Sequence, residues 1–96
     1  MLPDSFIQEL KAKTDIVDVV SGYVNLKRSG RSMVGLCPFH GEKTPSFHVN
    51  AEHGYFHCFG CGAGGDVITF IRQMENLDYL DAVKFLAQRA GMQVPQ

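Results

Sequence analysis

Cys37-Pro38-Phe39-His40 and, 17 residues further on, Cys58-Phe59-Gly60-Cys61 contain every cysteine of the chain. The first hook has C-x2-H spacing and the second C-x2-C. Two short hooks, separated by enough chain for a hairpin, are how a protein builds a four-coordinate zinc site. Zinc takes a tetrahedron of thiolates and imidazole at roughly 2.0–2.3 Å, and two intervening residues let both side chains of a hook face one ion. Cys37, His40, Cys58 and Cys61 are therefore the candidate ligands of one structural Zn2+. Gly60 and Gly62 flank the last of them, as suits a backbone that turns sharply through positive φ.

Other uses of these cysteines fit less well. A disulfide framework prefers an even count, and three leaves one thiol over. The N-terminus has neither the basic region nor the apolar run of a signal peptide. A thioredoxin-like C-x-x-C needs a βαβ context, whereas glycines follow Cys61. Catalytic zinc keeps one position open for water, and four strong protein donors leave none. Thiol ligands imply a reducing compartment, hence the cytoplasm.

A chain of 96 residues with 45% hydrophobic content is a single globular domain with one modest core. Zinc binding supplies roughly 10–16 kcal/mol of apparent folding free energy in small modules, so the middle of the chain is expected to need its ion. No apolar run is long enough to span a membrane. The net charge of −1 hides an asymmetry. Within 23–61, Lys27, Arg28, Arg31 and Lys43 against Glu42 and Glu52 leave +2, so the flanks together carry −3. Three thiolates and one zinc ion would lower the middle by one. So small a field does not drive strong nonspecific nucleic-acid binding, and any such binding should be weak and salt-sensitive.

Periodicity predicts an α+β fold, a small antiparallel zinc-ribbon sheet of about four strands flanked by N- and C-terminal helices. Phe6, Ile7 and Leu10 mark a helix over 3–13. Thr14 or Asp15 caps a second, through Ser21, with Ile16, Val17, Val19 and Val20 as its apolar face and Gly22 as its stop. This pair packs on the module or offers a docking surface. Residues 23–29 alternate as a strand, 29–31 turn, and 32–36 return to the first hook. Strands at 46–50 and 55–58 deliver the second hook. Asp66 then caps a helix carrying Val67, Ile68, Phe70, Ile71 and Met74 that ends at Asn76. Asp78 caps a last helix with Leu80, Val83, Phe85, Leu86 and Ala90 inward, closed by Gly91. The glycines of 60–65 lack the Lys and Ser/Thr of a phosphate loop, and a hook exit followed by a helix start accounts for them.

If the helices cover one sheet face, the other is free. Tyr23, Lys27, Arg28, Arg31, Lys43, Phe47, Tyr55, His57 and Phe59 are the candidates to line it. Rings interleaved with cations suit single-stranded nucleic acid, because bases stack on the rings and Lys or Arg neutralises phosphates. Phe56 alternates into the core, while Phe47 and Phe59 fit either side. His48, His53 and His57 lack ligand spacing to the hooks and read as strand or turn residues. His57, beside the second hook and on the side of Tyr55, has the best claim among them to a nucleic-acid contact.

The run G-L-C-P-F-H-G-E-K-T-P-S-F at 35–47 and Y-F-H-C-F-G-C-G-A-G-G-D at 55–66, with T-D-I-V-D-V-V at 14–20 and Y-V-N-L-K-R-S-G-R at 23–31, closely resembles the CHC2-type zinc-binding domain of bacterial DnaG-type primases. The resemblance covers residues 3–95. It implies three cysteines and one histidine on zinc, at Cys37, His40, Cys58 and Cys61. It implies a DNA-binding module that helps choose the start site for RNA primer synthesis on single-stranded template DNA. The template contacts of the sheet face that it implies are Lys27, Arg28, Arg31, Lys43, Phe47 and Tyr55, with Arg31 at a hairpin and Lys43 after the first hook leading, and His57 joins them from its place beside the second hook. In this family the nucleotidyltransferase chemistry, with its Mg2+, lies in a separate RNA polymerase domain, acting in the same or a neighbouring chain. That domain is not in this sequence, so the chain is expected to be a piece of a longer primase that makes no primer alone. A replicative helicase is the expected partner of a C-terminal part that is also absent here. The rival readings are the zinc domain of a phage or plasmid primase-helicase, a protein-docking ribbon without DNA contact, and an oxidoreductase using Cys58 and Cys61.

Overall fold

The computed structural model describes residues 2–41 and 45–95. Among them the chain forms four helices and five strands: α1 (Asp4–Lys13), α2 (Ile16–Ser21), β1 (Lys27–Ser29), β2 (Ser32–Gly35), β3 (Phe47–Asn50), β4 (Tyr55–Cys58), β5 (Gly64–Asp66), α3 (Val67–Glu75) and α4 (Tyr79–Ala90). The strands make one antiparallel sheet in the order β1-β2-β3-β4-β5, so each pairs with its neighbour in sequence. Helices α2 and α3 pack on the sheet, and α4 packs on α3 and α1. All helices thus gather on one side. None is long and apolar enough to cross a membrane.

The helix ends follow their capping residues. Asp15 accepts from the Val17 N–H at 3.0 Å, Asp66 from the Thr69 N–H at 2.9 Å, and Asp78 from the Asp81 N–H at 2.8 Å. Each satisfies a donor that the first helical turn leaves without a partner. Asn76 and Gly91 end α3 and α4 in the left-handed conformation, at φ 55° and 73°. Of the α4 positions expected inward, Val83 and Leu86 are fully buried, together with Ala82 and Ala87. Leu80 and Phe85 are exposed instead. The buried stripe centres on 82, 83, 86 and 87, and at 100° per residue Phe85 is turned off it.

Two strand expectations change. Only 27–29 of the 23–29 run pairs in the sheet. Residues 23 and 24 instead bond back to the Val20 carbonyl, and 24–26 cross closely over Gly35. A Cβ on Gly35 would lie 2.6 Å from the Asn25 carbonyl oxygen and 2.9 Å from Val24 Cγ1, so the crossing requires glycine there. The sheet also has a fifth strand, β5, which pairs Gly64 with His57 and Gly65 with Phe56. Gly65 at φ 151° brings the chain against the Thr69 side chain, where a Cβ would meet atoms at 2.8–3.0 Å. The glycine run is therefore an edge strand and helix entry, a use that alternation of apolar residues cannot signal.

The core lies between sheet and helices. Phe47, Val49, Phe56 and Cys58 face α3 and meet Phe70, Ile71, Leu10 and Val20, all at or near zero exposure. Phe47 stacks on Phe56 at 5.4 Å, and Phe70 stands edge-on to Phe56 at 5.5 Å. Fully burying such side chains stabilises by about 1.5–3 kcal/mol each.

Asp66 links three elements, since its other oxygen meets Lys11 of α1 at 2.8 Å. Burial pushes this carboxyl up, but the Lys11 ammonium and the Thr69 N–H outweigh it and hold the group below the usual carboxylate range. A depressed acid contributes stability that is full above its unfolded pKa and is lost as pH falls through the folded one. Asp66→Ala is expected to cost about 1–2 kcal/mol at pH 7. Asp66→Asn, which keeps the cap, should cost less, and its deficit should vanish in acid. Thermal melts across pH check both, and a deficit independent of pH would contradict the ion-pair part.

Candidate metal centre

The two hooks meet at one end of the sheet. Cys37 lies two residues beyond β2, and Cys58 closes β4 opposite Phe47, the first residue of β3. After β4 the chain reverses. The Gly62 N–H bonds the Cys58 carbonyl at 2.8 Å, with Gly62 at φ 80°, and so Cys61 turns back towards Cys37. The donor atoms of Cys37, His40, Cys58 and Cys61 all lie within 4.8 Å of one another. Cys37 Sγ and Cys61 Sγ are 3.8 Å apart, as are Cys58 Sγ and His40 Nδ1. Zinc–sulfur bonds of about 2.3 Å at tetrahedral angles put sulfurs about 3.8 Å apart, so the group has the dimensions of a zinc tetrahedron. Soft thiolates with one imidazole suit zinc over calcium or magnesium.

Hydrogen bonds prepare the sulfurs. The Phe39 N–H points at Cys37 Sγ at 3.4 Å, and Ser46 Oγ lies 3.5 Å from Cys58 Sγ. Burial pushes the Cys58 thiol up, but the Ser46 hydroxyl, the N–H groups of Cys61 and Gly60 and the Cys37 thiol outweigh it and bring it to about 7. For Cys37, burial dominates, the neighbouring thiols add to it, and the group is pushed up to about 12. Of the two, Cys58 is the thiol that gives up its proton more readily. A bound dication would displace the thiol protons, because metal ligation needs the thiolate.

The first hook is anchored by a residue that spacing did not single out. Phe39 stands against Phe47, Phe56 and Phe70, with centroids 5.8–6.1 Å apart. Its ring ties the metal hook to the core, so ligand geometry and core packing support each other. Ser46 was also unforeseen; nothing in the hook spacing marks it. Gly60 serves space, not positive φ. A Cβ there would stand 2.9 Å from His40 Nε2 and 2.9 Å from Ser46 Oγ.

The face of the sheet away from the helices carries Lys27, Val34, His48, Asn50, Tyr55 and His57, by their register. Phe59 stands over His48 and His57, at 4.9 and 4.7 Å. His53 stacks on Tyr55 at 6.2 Å. Of the predicted contacts, Lys27, Tyr55 and His57 share this face. Phe47 does not: it is 0% exposed, because its alternation with His48 sends its ring into the aromatic core. Arg28 pairs with Met33, which pairs with Val49, and so lies on the helix-bearing side. Arg28 and Arg31 line a recess there with Asp15 and Val17. Tyr23 also leaves the open face. Its ring stands edge-on to Phe70 at 5.6 Å, and its hydroxyl donates to Glu75 at 2.7 Å. Burial and that carboxylate push the phenol up to about 12. Lys43 lies outside the described residues.

The CHC2 zinc finger family is matched over residues 2–96. The DNA primase of Lactococcus lactis is 53% identical over 91 residues, which is 95% of this chain and 14% of that protein. The DNA primase of Geobacillus stearothermophilus is also 53% identical over 91 residues, 95% of this chain and 15% of that one. The crystal structure of the zinc-binding and RNA polymerase domains of the Aquifex aeolicus primase superposes with a TM-score of 0.89 at 44% identity, over 94% of this chain and 22% of that chain. The chain therefore spans a small part of the relatives it matches.

Gly60→Ala tests the close contact with His40. The expected outcome is a chain that still folds at saturating Zn2+ but binds it about 10- to 100-fold more weakly, as when outer-shell support of a ligand is lost. Competition with a chromophoric chelator measures it. Unchanged affinity would mean that the His40 ring yields without cost.

Proposed function

The chain belongs to the CHC2 zinc finger family of DNA primases, and from that premise we propose that it is a template reader: one structural zinc ion on Cys37, His40, Cys58 and Cys61 fastens a sheet whose bare face binds single-stranded DNA and helps select where a primer starts. The observation that carries this reading is the helix-free face. Lys27 there offers a phosphate contact, and Tyr55, His57 and their ring neighbours offer stacking surfaces. Asp66, paired opposite Tyr55, has its carboxylate engaged by Lys11 and Thr69, which limits its repulsion of phosphate.

The role is positional. Phosphate contacts fix the strand's place, and contacts to base edges and faces discriminate sequence. The joining of the first nucleotides, with Mg2+, belongs to an RNA polymerase domain in the same or a neighbouring chain, and a replicative helicase engages another part of the parent protein. The setting is the bacterial cytoplasm at the replication fork. Four strong donors leave no open zinc position for a water nucleophile, which suits a structural ion.

Fluorescence anisotropy with labelled single-stranded DNA tests the reading. Binding is expected with Kd on the order of 10–100 μM at low salt, weakening as salt rises. Lys27→Ala should reduce the slope of log affinity against log salt by about 0.7. Absence of binding at both low and raised salt would favour a protein-docking ribbon instead. Freshly purified chain should contain one zinc per molecule. A strong chelator should collapse the far-ultraviolet circular dichroism signal of the sheet and abolish DNA binding together. A metal-free, folded chain would overturn the zinc assignment.

A further inference from the structure

Phe59 is 70% exposed, the highest among the exposed large hydrophobic side chains of the described residues. It is the second residue of the C-x2-C hook, between two candidate ligands. Core packing does not explain it, since Phe59 is neither in the core cluster nor among the partly buried side chains packed against it. Its placement is nonetheless tightly set. Its N–H bonds the Ser46 carbonyl at 3.0 Å, which joins it to the start of β3. Its ring is held edge-to-face by His48 at 80° and 4.9 Å and by His57 at 70° and 4.7 Å. These two imidazoles come from paired positions on β3 and β4. A ring propped by two others loses little rotamer freedom when something lands on it, so a ligand need not order it first.

We infer that Phe59 is the base-stacking platform of the template face, presented to one unpaired base by the metal hook beneath it and by His48 and His57 beside it. The inference rests on the template-binding reading above and names the residue that discriminates stacking from mere phosphate attraction. Single-stranded DNA is the occupant because the same face carries Lys27 and because a flat, exposed ring suits a flat base. The arrangement also makes the metal a positioning device. Cys58 and Cys61 bracket the platform, so gripping them on one ion fixes the direction in which the ring stands.

Three variants of the zinc-loaded chain, Phe59→Ala, Phe59→Leu and Phe59→Trp, separate stacking from shielding of the hook. Affinity for a labelled single-stranded oligonucleotide is read by anisotropy at two salt concentrations, with zinc content measured on each sample. Phe59→Ala and Phe59→Leu are both expected to bind about 5- to 100-fold more weakly, with zinc at one per chain and an unchanged salt slope. Phe59→Trp should bind within about 3-fold of the parent, since it keeps a π-face. If the parent binds and Phe59→Leu binds equally well, the platform is overturned while the template reading stands. Loss of binding in Phe59→Trp as severe as in Phe59→Leu overturns it too. Should Phe59→Ala lose zinc, the Leu and Trp pair still decides. A parent that does not bind DNA overturns the template reading itself, and the platform with it.

Discussion

Three thiols and an imidazole brought within 4.8 Å of one another at the end of a sheet set the terms for the rest of this molecule. Such a group is unfavourable by itself. Burial and the neighbouring thiols push the Cys37 thiol up, while the hydrogen-bond donors around Cys58 bring that thiol down. A dication held by Cys37, His40, Cys58 and Cys61 would offset that cost. These residues would then tie together the segment after β2, the end of β4 and the turn beyond it, which strand pairing this short holds weakly. In a chain of 96 residues the core alone is modest, and binding a metal here would add more than any one buried side chain does.

The metal hook and the hydrophobic core are not separate devices. Phe39 sits inside the first hook and inside the aromatic cluster at once, and Cys37 and Cys58 are themselves core residues. Displacing the hook would open a gap beside Phe47, Phe56 and Phe70. Loosening that cluster would let Cys37 and His40 drift. Glycine supplies clearance where these parts come closest: Gly60 under the His40 ring and Gly35 under the crossing chain.

One-sided helix packing gives the sheet two unlike faces. Phe47, Val49, Phe56 and Cys58 face the helices, while His48, Asn50, Tyr55 and His57 face outward. The outward face is aromatic and weakly charged. Such a surface favours contacts by stacking, with a small electrostatic contribution.

The hooks, the caps at Asp15, Asp66 and Asp78, the stops at Asn76 and Gly91 and the burial of Phe56 were all legible in the sequence, because each rests on local geometry. Ligand spacing, capping hydrogen bonds and two-residue alternation act within a few residues of chain. What local rules left open was decided by contacts between distant segments. Phe47 goes inward because its register with Cys58 places it on the helix side, and Arg28 and Lys27 part company because adjacent strand residues face opposite ways. The crossing over Gly35 shortens the first strand, and Gly64 and Gly65 make a strand because β4 offers them an edge. Phe59 gains its placement from His48 and His57, which only sheet pairing sets side by side. Sequence alone thus determined which atoms can grip a metal and where helices begin and end. Tertiary structure determined which rings reach solvent, since that depends on pairing and packing across the whole chain.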